Sequence, residues 1–218
     1  MDGFDQLVDA VAAMIRGSDQ RILLGISGVP GAGKSTLAWH LREALDAAGF
    51  RAQRVPMDGF HMSDHVMEQL GRRNRKGAID TFDGWGYLAL LYRLRDEHGH
   101  PIYAPDFERF LEQPIAAGLS VEPDCQIVIT EGNYLLAPDE PWSRLSSVLT
   151  QTWHCVLDDE ERRRRLVVRH IRSGKEPDAA KAWVEAVDEV NAVQISAWAP
   201  RADRIVDMGA LNLPAGRD

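Results

Sequence analysis

Residues 21–40 read RILLGISGVPGAGKSTLAWH, and this stretch decides the fold. Its middle part, 28–36, has the spacing Gly-x-x-x-x-Gly-Lys-Ser-Thr and lies between an apolar run and a helical pattern. In that setting the glycines let the backbone turn tightly, so that its N–H groups surround phosphate oxygens. The helix that follows adds its positive N-terminal end. The stretch therefore predicts a bound nucleoside triphosphate between a strand and a helix.

Each part of this phosphate loop has an expected role. Lys34 should reach the β and γ phosphates, and the hydroxyl of Ser35 should bind Mg²⁺. The alternative is a glycine-rich turn with a chance lysine, which the matching flanks on both sides disfavour. The residues that we expect to contact ATP are Gly28, Pro30, Gly31, Ala32, Gly33, Lys34, Ser35 and Thr36.

The composition narrows the classes of function. The 218 residues carry a formal net charge of −8 and are 44% hydrophobic. Proteins that bind nucleic acid usually show a basic surface, so this charge argues against a nucleic-acid partner. No apolar stretch approaches the roughly 20 residues that span a bilayer, and the N-terminus lacks the basic start of a signal peptide. We expect one cytoplasmic domain over residues 1–218 with no membrane partner. The composition does not decide between a monomer and a homodimer.

Apolar runs alternate with helical patterns along the chain. The predicted strands are 21–27, 51–57, 126–130, 152–157 and 204–208. The predicted helices are 3–17, 35–48, 81–97, 159–173 and 178–198. Such alternation produces a parallel sheet that binds ligands at the carboxyl ends of its strands. The expected fold is a three-layer α/β P-loop NTPase, a central parallel sheet flanked by helices, with a core from 20 to 210 and a small helical lid at about 159–180.

Two carboxylates follow predicted strands. Glu131 ends the apolar strand 126–130 and is expected to hold Mg²⁺ beside the Ser35 hydroxyl, since phosphoryl transfer needs a metal ion between the β and γ oxygens. Asp58 ends the strand before it and could accept the proton of an attacking hydroxyl. The alternatives are a capping role for Glu131, and for Asp58 an aspartate turn or an outer ligand of the metal ion.

An arginine-rich helix is predicted after the fourth strand. Arg162, Arg165, Arg169 and Arg172 fall on one stripe, and the opposite side, predicted to face the core, carries Val167, Val168 and Ile171. This stripe could close over the phosphates and stabilise their charge during transfer. Arg169 is the first choice as a catalytic residue and Arg165 as an ATP ligand. The alternative is an ordinary solvated basic face.

The segment 102–109 combines aromatic and charged side chains. Tyr103, Phe107 and Arg109 suit a small polar substrate, and the alternative is packing at the edge of the domain. The polar stretch 59–79 shows no clear periodicity. Its basic cluster at 72–76 is interpreted as a mobile surface loop, and its His61 as a residue that lines the substrate.

Several motifs together resemble the phosphoribulokinase/uridine kinase/bacterial pantothenate kinase family of P-loop kinases, across roughly residues 20 to 200. The branch that it resembles most is the nucleoside/nucleotide kinase-like or fructose-transport-system-kinase branch. The motifs are the phosphate loop, Met-Asp-Gly-Phe-His at 57–61, Arg-Lys-Gly-Ala-Ile-Asp-Thr-Phe-Asp at 75–83, Tyr-Ala-Pro-Asp-Phe-Glu-Arg at 103–109, Glu-Gly-Asn-Tyr-Leu-Leu at 131–136 and the arginine-rich helix.

This resemblance implies roles for individual residues. Asp58 takes the place of the family's base, Glu131 that of its acidic residue after the third strand, and its lid arginines fall within 162–169. Phe60 and Phe82 belong to the shared motifs and are expected, with His61, beside the acceptor. The Ala-Pro inserted after Tyr103 departs from the uridine kinase pattern.

The sequence therefore predicts an ATP-dependent kinase with Mg²⁺ that phosphorylates a hydroxyl of a small metabolite. The acceptors considered are a sugar or sugar-like alcohol, then a nucleoside, then a pantothenate-like acid. The rival from another class is a P-loop NTPase that acts as a switch or metal chaperone. A regulator that binds ATP without turnover is the third interpretation.

Overall fold

A computed structural model describes residues 3–108, 111 and 113–213. Its centre is a five-stranded parallel sheet in the order β2-β5-β1-β6-β7. The strands of this sheet are β1 (Ile22–Gly28), β2 (Ala52–Arg54), β5 (Ile127–Glu131), β6 (Gln151–Val156) and β7 (Arg204–Asp207). The remaining two strands, β3 (Ile102–Glu108) and β4 (Gln113–Val121), form a separate antiparallel hairpin.

Helices cover both faces of the sheet. They are α1 (Gly3–Arg16), α2 (Lys34–Ala47), α3 (Asp64–Gln69), α4 (Gly84–Asp96), α5 (Asp159–Arg172), α6 (Pro177–Trp183) and α7 (Glu189–Trp198). None of the helices in the described ranges is both long and apolar enough to cross a membrane. The predicted three-layer α/β fold is confirmed.

The central strands are apolar because both of their faces are covered. Every residue of β1 and β5 is buried, as expected for parallel strands between two helical layers. Since parallel strands end at the same edge, Glu131 ends β5 in register with Ile26, two residues before Gly28 begins the phosphate loop. The phosphate loop and the first acidic residue are thereby brought together by the sheet itself.

The second strand is shorter than predicted. It pairs with β5 over Ala52–Arg54, and Val55 adds one more backbone hydrogen bond to Ile129. Pro56 has no N–H to continue the ladder, and the chain enters a 3₁₀ turn at Met57–Phe60. Asp58 therefore lies in a tight turn rather than at a strand end.

The last long helix is interrupted. The pattern predicts one helix at 178–198, whereas a π-helical turn at Val184–Asp188 separates α6 from α7. Before it, Gly174 with φ +92° ends α5 as predicted. Helix α5 and the π turn pack together, and this pairing positions the lid.

Candidate active site

The phosphate loop lies directly beneath helix α5. A Cβ at Gly31, whose φ is +80°, would lie 2.9 Å from Cγ of Leu166 and 3.0 Å from the carbonyl oxygen of Arg162. Only glycine allows this approach. The first two turns of helix α5 are therefore packed directly on the loop.

Lys34 begins α2 and is almost completely buried. Its Nζ donates a hydrogen bond to the carbonyl oxygen of Val29, within the loop, at 3.1 Å. Burial lowers the pKa of Lys34 from its usual value, while the negative charges of Glu131 and Asp58 oppose that shift. The ammonium group is thus held inside the loop, where phosphates would bind, with two carboxylates nearby.

Ser35 and Glu131, the two residues expected to bind Mg²⁺, are in direct contact. The Ser35 hydroxyl donates to Oε1 of Glu131 at 2.9 Å, which leaves the hydroxyl lone pairs for a cation. Burial and then the charge of Asp58 raise the pKa of Glu131, and Lys34 and Arg54 oppose this shift. A buried carboxylate beside a hydroxyl and a second carboxylate fits Mg²⁺, which prefers oxygen ligands and keeps substrate phosphates and water as the rest of its shell.

The turn that carries Asp58 is fixed by close backbone packing. A Cβ at Gly59 would lie 2.5 Å from the carbonyl oxygen of Pro105 in strand β3. The glycine after Asp58 is therefore needed where the inserted Ala-Pro segment packs against the turn. The hairpin is irregular at this point, with a register shift between Ala104 and Asp106. Asp58 itself is half-buried, and its charge acts on both Lys34 and Glu131.

An aromatic cluster adjoins Asp58. The His61 ring lies 3.9 Å from that of Phe82 and 5.1 Å from that of Phe107, measured between centroids. Nδ1 of His61 lies 2.9 Å from the backbone oxygen of Asp58, which ties the ring to the turn. His61 and Phe82 are thus brought beside Asp58, and Phe107, from the aromatic segment 102–109, joins them.

Other predicted acceptor residues are not brought to this cluster. Phe60 points into the core, with its ring 5.3 Å from that of Tyr87. Tyr103 is 62% exposed, and strand alternation places it on the opposite face from buried Ala104. Arg109 lies outside the described residues.

The basic cluster at 72–76 is held by ion pairs, unlike the mobile loop that the sequence predicts. Arg75 pairs with Asp80 at 2.6 Å, and Lys76 pairs with Asp64 at 3.0 Å. The hydroxyl of Tyr134, in the motif that begins at Glu131, donates to the carbonyl oxygen of Gly77 next to the cluster. These contacts fix one wall of the acceptor side.

The arginines of the α5 stripe differ in their burial and in their partners. Arg162 is 1% exposed, pairs with Glu189 at 2.6 Å and points a guanidinium nitrogen at the carbonyl oxygen of Pro30. The prediction that Val168 and Ile171 face the core is wrong, because Arg162 and Leu166, one turn apart, form the buried side instead. Arg162 is therefore a structural contact to the loop.

Two other arginines of the stripe stay available above the loop. Nη1 of Arg165 would be 3.9 Å from a Cβ at Gly33, and Glu161 holds this arginine at 2.8 Å. Arg169 is exposed and forms no ion pair with any residue of the described ranges. Its positive charge helps to lower the pKa of Lys34.

One residue beside the site has no counterpart in the predictions. Arg54, the last residue of β2, points a guanidinium nitrogen toward Oε1 of Glu131 at 3.9 Å. An arginine in a short edge strand gives no sequence signal of its own. Its place beside Glu131 follows only from the register of β2 on β5.

Comparisons with known proteins agree with this geometry, although no model of a protein family matches the sequence. The chain is 32% identical over 187 residues to "Putative uridine kinase C227.14" of Schizosaccharomyces pombe, with 80% of this chain and 76% of that protein covered. It is 34% identical to the "ATP-dependent kinase-like protein notR'" of Aspergillus versicolor, over 58% of this chain and 77% of the relative.

A solved structure is similar over nearly all of its length. The "putative fructose transport system kinase" from Silicibacter sp. TM1040 superposes with a TM-score of 0.79 at 36% identity, covering 89% of this chain and 98% of the other. The chain belongs to a family of uridine kinase-like P-loop kinases, and it is an ATP-dependent kinase.

Proposed function

We propose that this kinase transfers the γ-phosphate of ATP to a hydroxyl group of a small metabolite, with Asp58 as the base. The observation that carries the proposal is the position of Asp58, whose negative charge acts on both Lys34 and Glu131. A half-buried carboxylate on the turn after β2, at the edge of the sheet where the phosphate loop also lies, can accept the proton of an attacking hydroxyl. It can also orient the oxygen for in-line transfer.

We assign the donor side to the phosphate loop. The backbone N–H groups of 28–36 and the Lys34 ammonium bind the triphosphate, and Ser35 and Glu131 would hold Mg²⁺. When bound, this ion neutralises charge on the β and γ oxygens. Lys34 is desolvated before ATP arrives, so its attraction to the phosphates is not weakened by bulk water.

Arg165 and Arg169 complete the site from the lid. Both extend from the face of α5 above the loop, and the helix base is already packed on Gly31. A small movement of the outer part of α5 would bring these guanidinium groups onto the phosphates and exclude water. Exclusion of water limits wasteful hydrolysis of ATP.

The acceptor that we favour is a sugar or sugar-like alcohol. The similar structure from Silicibacter is named as a fructose transport system kinase, and it covers most of the chain. A nucleoside is the second candidate, because the S. pombe relative is named as a uridine kinase. The Gly59–Pro105 contact supports this order, since it reshapes the hairpin at the point where the sequence departs from the uridine kinase pattern.

The test is a screen of ADP release over sugars, nucleosides and pantothenate, followed by Asp58→Asn on the acceptor that stimulates release. The variant should bind ATP as the wild type does and transfer phosphate about 100-fold more slowly, which is the scale of a general base. Asp124→Asn is the matched control, because Asp124 pairs with Arg51 at the surface. It should leave transfer unchanged.

Two results would contradict the proposal. Transfer by Asp58→Asn at a rate near that of wild type would remove Asp58 from the mechanism. ATP hydrolysis that no alcohol stimulates would instead favour an NTPase switch.

A further inference from the structure

Arg54 and Glu131 project from the same side of the sheet. Arg54 is in register with Ile129 on the neighbouring parallel strand, and Glu131 follows Ile129 by two residues. Residues in register share a face, as do residues two apart on one strand. The two side chains therefore meet above the sheet on the side where Ser35 also reaches Glu131.

The guanidinium group of Arg54 is only partly solvated. Its side chain is 28% exposed, and its Nε is buried without a hydrogen-bond partner. Within the described ranges, Glu131 is the carboxylate that lies within 4 Å of it. By contrast, Arg51 on the same edge of the sheet is 69% exposed and pairs with Asp124 at 2.7 Å. Arg54 is thus directed at the site rather than at solvent.

Glu131 needs a positive neighbour that stays with it. The carboxylate is 4% exposed and lies near the negative charge of Asp58. Lys34 supplies one positive charge, and Ser35 offers one hydroxyl proton to Oε1. Arg54, with a guanidinium nitrogen 3.9 Å from Oε1, supplies the other positive charge. Since the proposed function assigns Lys34 to the phosphates of ATP, Arg54 is the cation that is left to support Glu131.

We propose that Arg54 is a positioning residue that holds the Glu131 carboxylate in place to receive Mg²⁺. This inference rests on the proposed role of Glu131 as a metal ligand. Arg54 acts through Glu131 and touches neither ATP nor the acceptor. Groups that orient a metal ligand typically change metal affinity or activity by 10–100-fold when they are replaced.

The experiment measures binding of a fluorescent ATP analogue to the full-length protein as Mg²⁺ is titrated, and again in EDTA. Arg54→Gln should raise the Mg²⁺ concentration at half-saturation by about 10-fold and leave the affinity in EDTA unchanged. Arg54→Lys, which keeps the charge but loses the planar group, should fall between Arg54→Gln and wild type. Arg51→Gln is the matched control and should behave as wild type. Thermal melts confirm that each variant is folded.

Two outcomes would overturn the inference. An unchanged Mg²⁺ requirement in Arg54→Gln would show that Glu131 needs no support from Arg54. Weaker binding in EDTA would show that Arg54 contacts the phosphates directly.

Glu131→Gln separates this inference from the proposed function. If that variant also leaves the Mg²⁺ requirement unchanged, the metal role of Glu131 itself is wrong. If Glu131→Gln raises the requirement and Arg54→Gln does not, only the role of Arg54 is wrong.

Discussion

Burial sets the charge state of individual side chains around the phosphate loop. Lys34 has its pKa lowered by burial and Glu131 has its pKa raised by it, so each lies closer to neutrality than it would in water. His154, on the neighbouring strand β6, is 1% exposed, and its Nδ1 has no hydrogen-bond partner within the described ranges. Burial, aided by the charge of Lys34, lowers the pKa of His154 from 6.5 to about 4.

This shift predicts a loss of stability in acid. The unfolded chain takes up a proton on His154 near pH 6.5, whereas the folded protein resists protonation until about pH 4. The stability that depends on neutral His154 is complete above pH 6.5 and declines as the pH falls toward 4. Between pH 7 and 5 the wild type should lose about 2 kcal/mol more unfolding free energy than His154→Gln.

Urea unfolding at the two pH values measures this difference. His98→Gln is the control, because His98 is exposed, and it should keep the wild-type pH dependence. Identical acid losses in wild type and His154→Gln would contradict a neutral buried His154.

The residues whose places follow from their spacing within one motif were the easiest to predict. Lys34, Ser35 and the loop glycines have fixed places once a strand and a helix flank them. Tyr103 could not be placed, because strand alternation decides which face it occupies. Phe60 could not be placed either, since the geometry of a 3₁₀ turn decides whether its ring points to the core or the site.

At the scale of elements, helix α5 joins the loop to the C-terminal helices. Its arginines resemble one stripe in the sequence, yet burial separates Arg162 from the rest. The periodicity predicts a helix correctly but does not say which side faces the protein when both sides contain long side chains. The stem of Arg162 packs against Gly31, and its charge is matched by Glu189 and Asp159.

The pair of Arg162 and Glu189 predicts unequal effects of two arginine substitutions on the same helix. Arg162→Ala removes a side chain that is 1% exposed and packs on Gly31, and it leaves Glu189 with Arg163 alone, so it should lower the unfolding free energy by about 2 kcal/mol. Arg164→Ala removes an arginine that is 66% exposed and pairs with Glu161, so the loss of unfolding free energy should be much smaller. Urea denaturation of both variants measures this, and equal losses would contradict the structural role of Arg162.

The hairpin β3–β4 shows a second limit of sequence patterns. Its two segments are recognisable as extended, but their pairing and the irregularity at Ala104–Asp106 depend on contact with the distant turn at Gly59. That contact is between backbones, and it leaves no periodic trace in the sequence. The acceptor side therefore follows from the structure more than from the motifs.

At the scale of the whole molecule, the order of the strands explains why the donor side could be predicted. In the order β2-β5-β1-β6-β7, three adjacent strands lead to these residues: the turn with Asp58 follows β2, Glu131 ends β5 and the phosphate loop follows β1. Alternation of strands and helices forces this edge to be common to all of them. The fold class and the position of the phosphate loop could therefore be predicted from the sequence. The contacts of α5 with this loop and the ion pairs that hold the segment 72–77 could not.

The central claim is that Asp58 faces the phosphoryl group held by Lys34. A crystal structure with Mg²⁺ and a non-hydrolysable ATP analogue tests it most directly. We expect the metal ion on Ser35 Oγ and Glu131, with the γ-phosphate between Lys34 Nζ and the Asp58 carboxylate and space for an acceptor oxygen beside Asp58. A γ-phosphate bound away from Asp58, or an Asp58 carboxylate that coordinates the metal ion and faces no open space, would contradict the account.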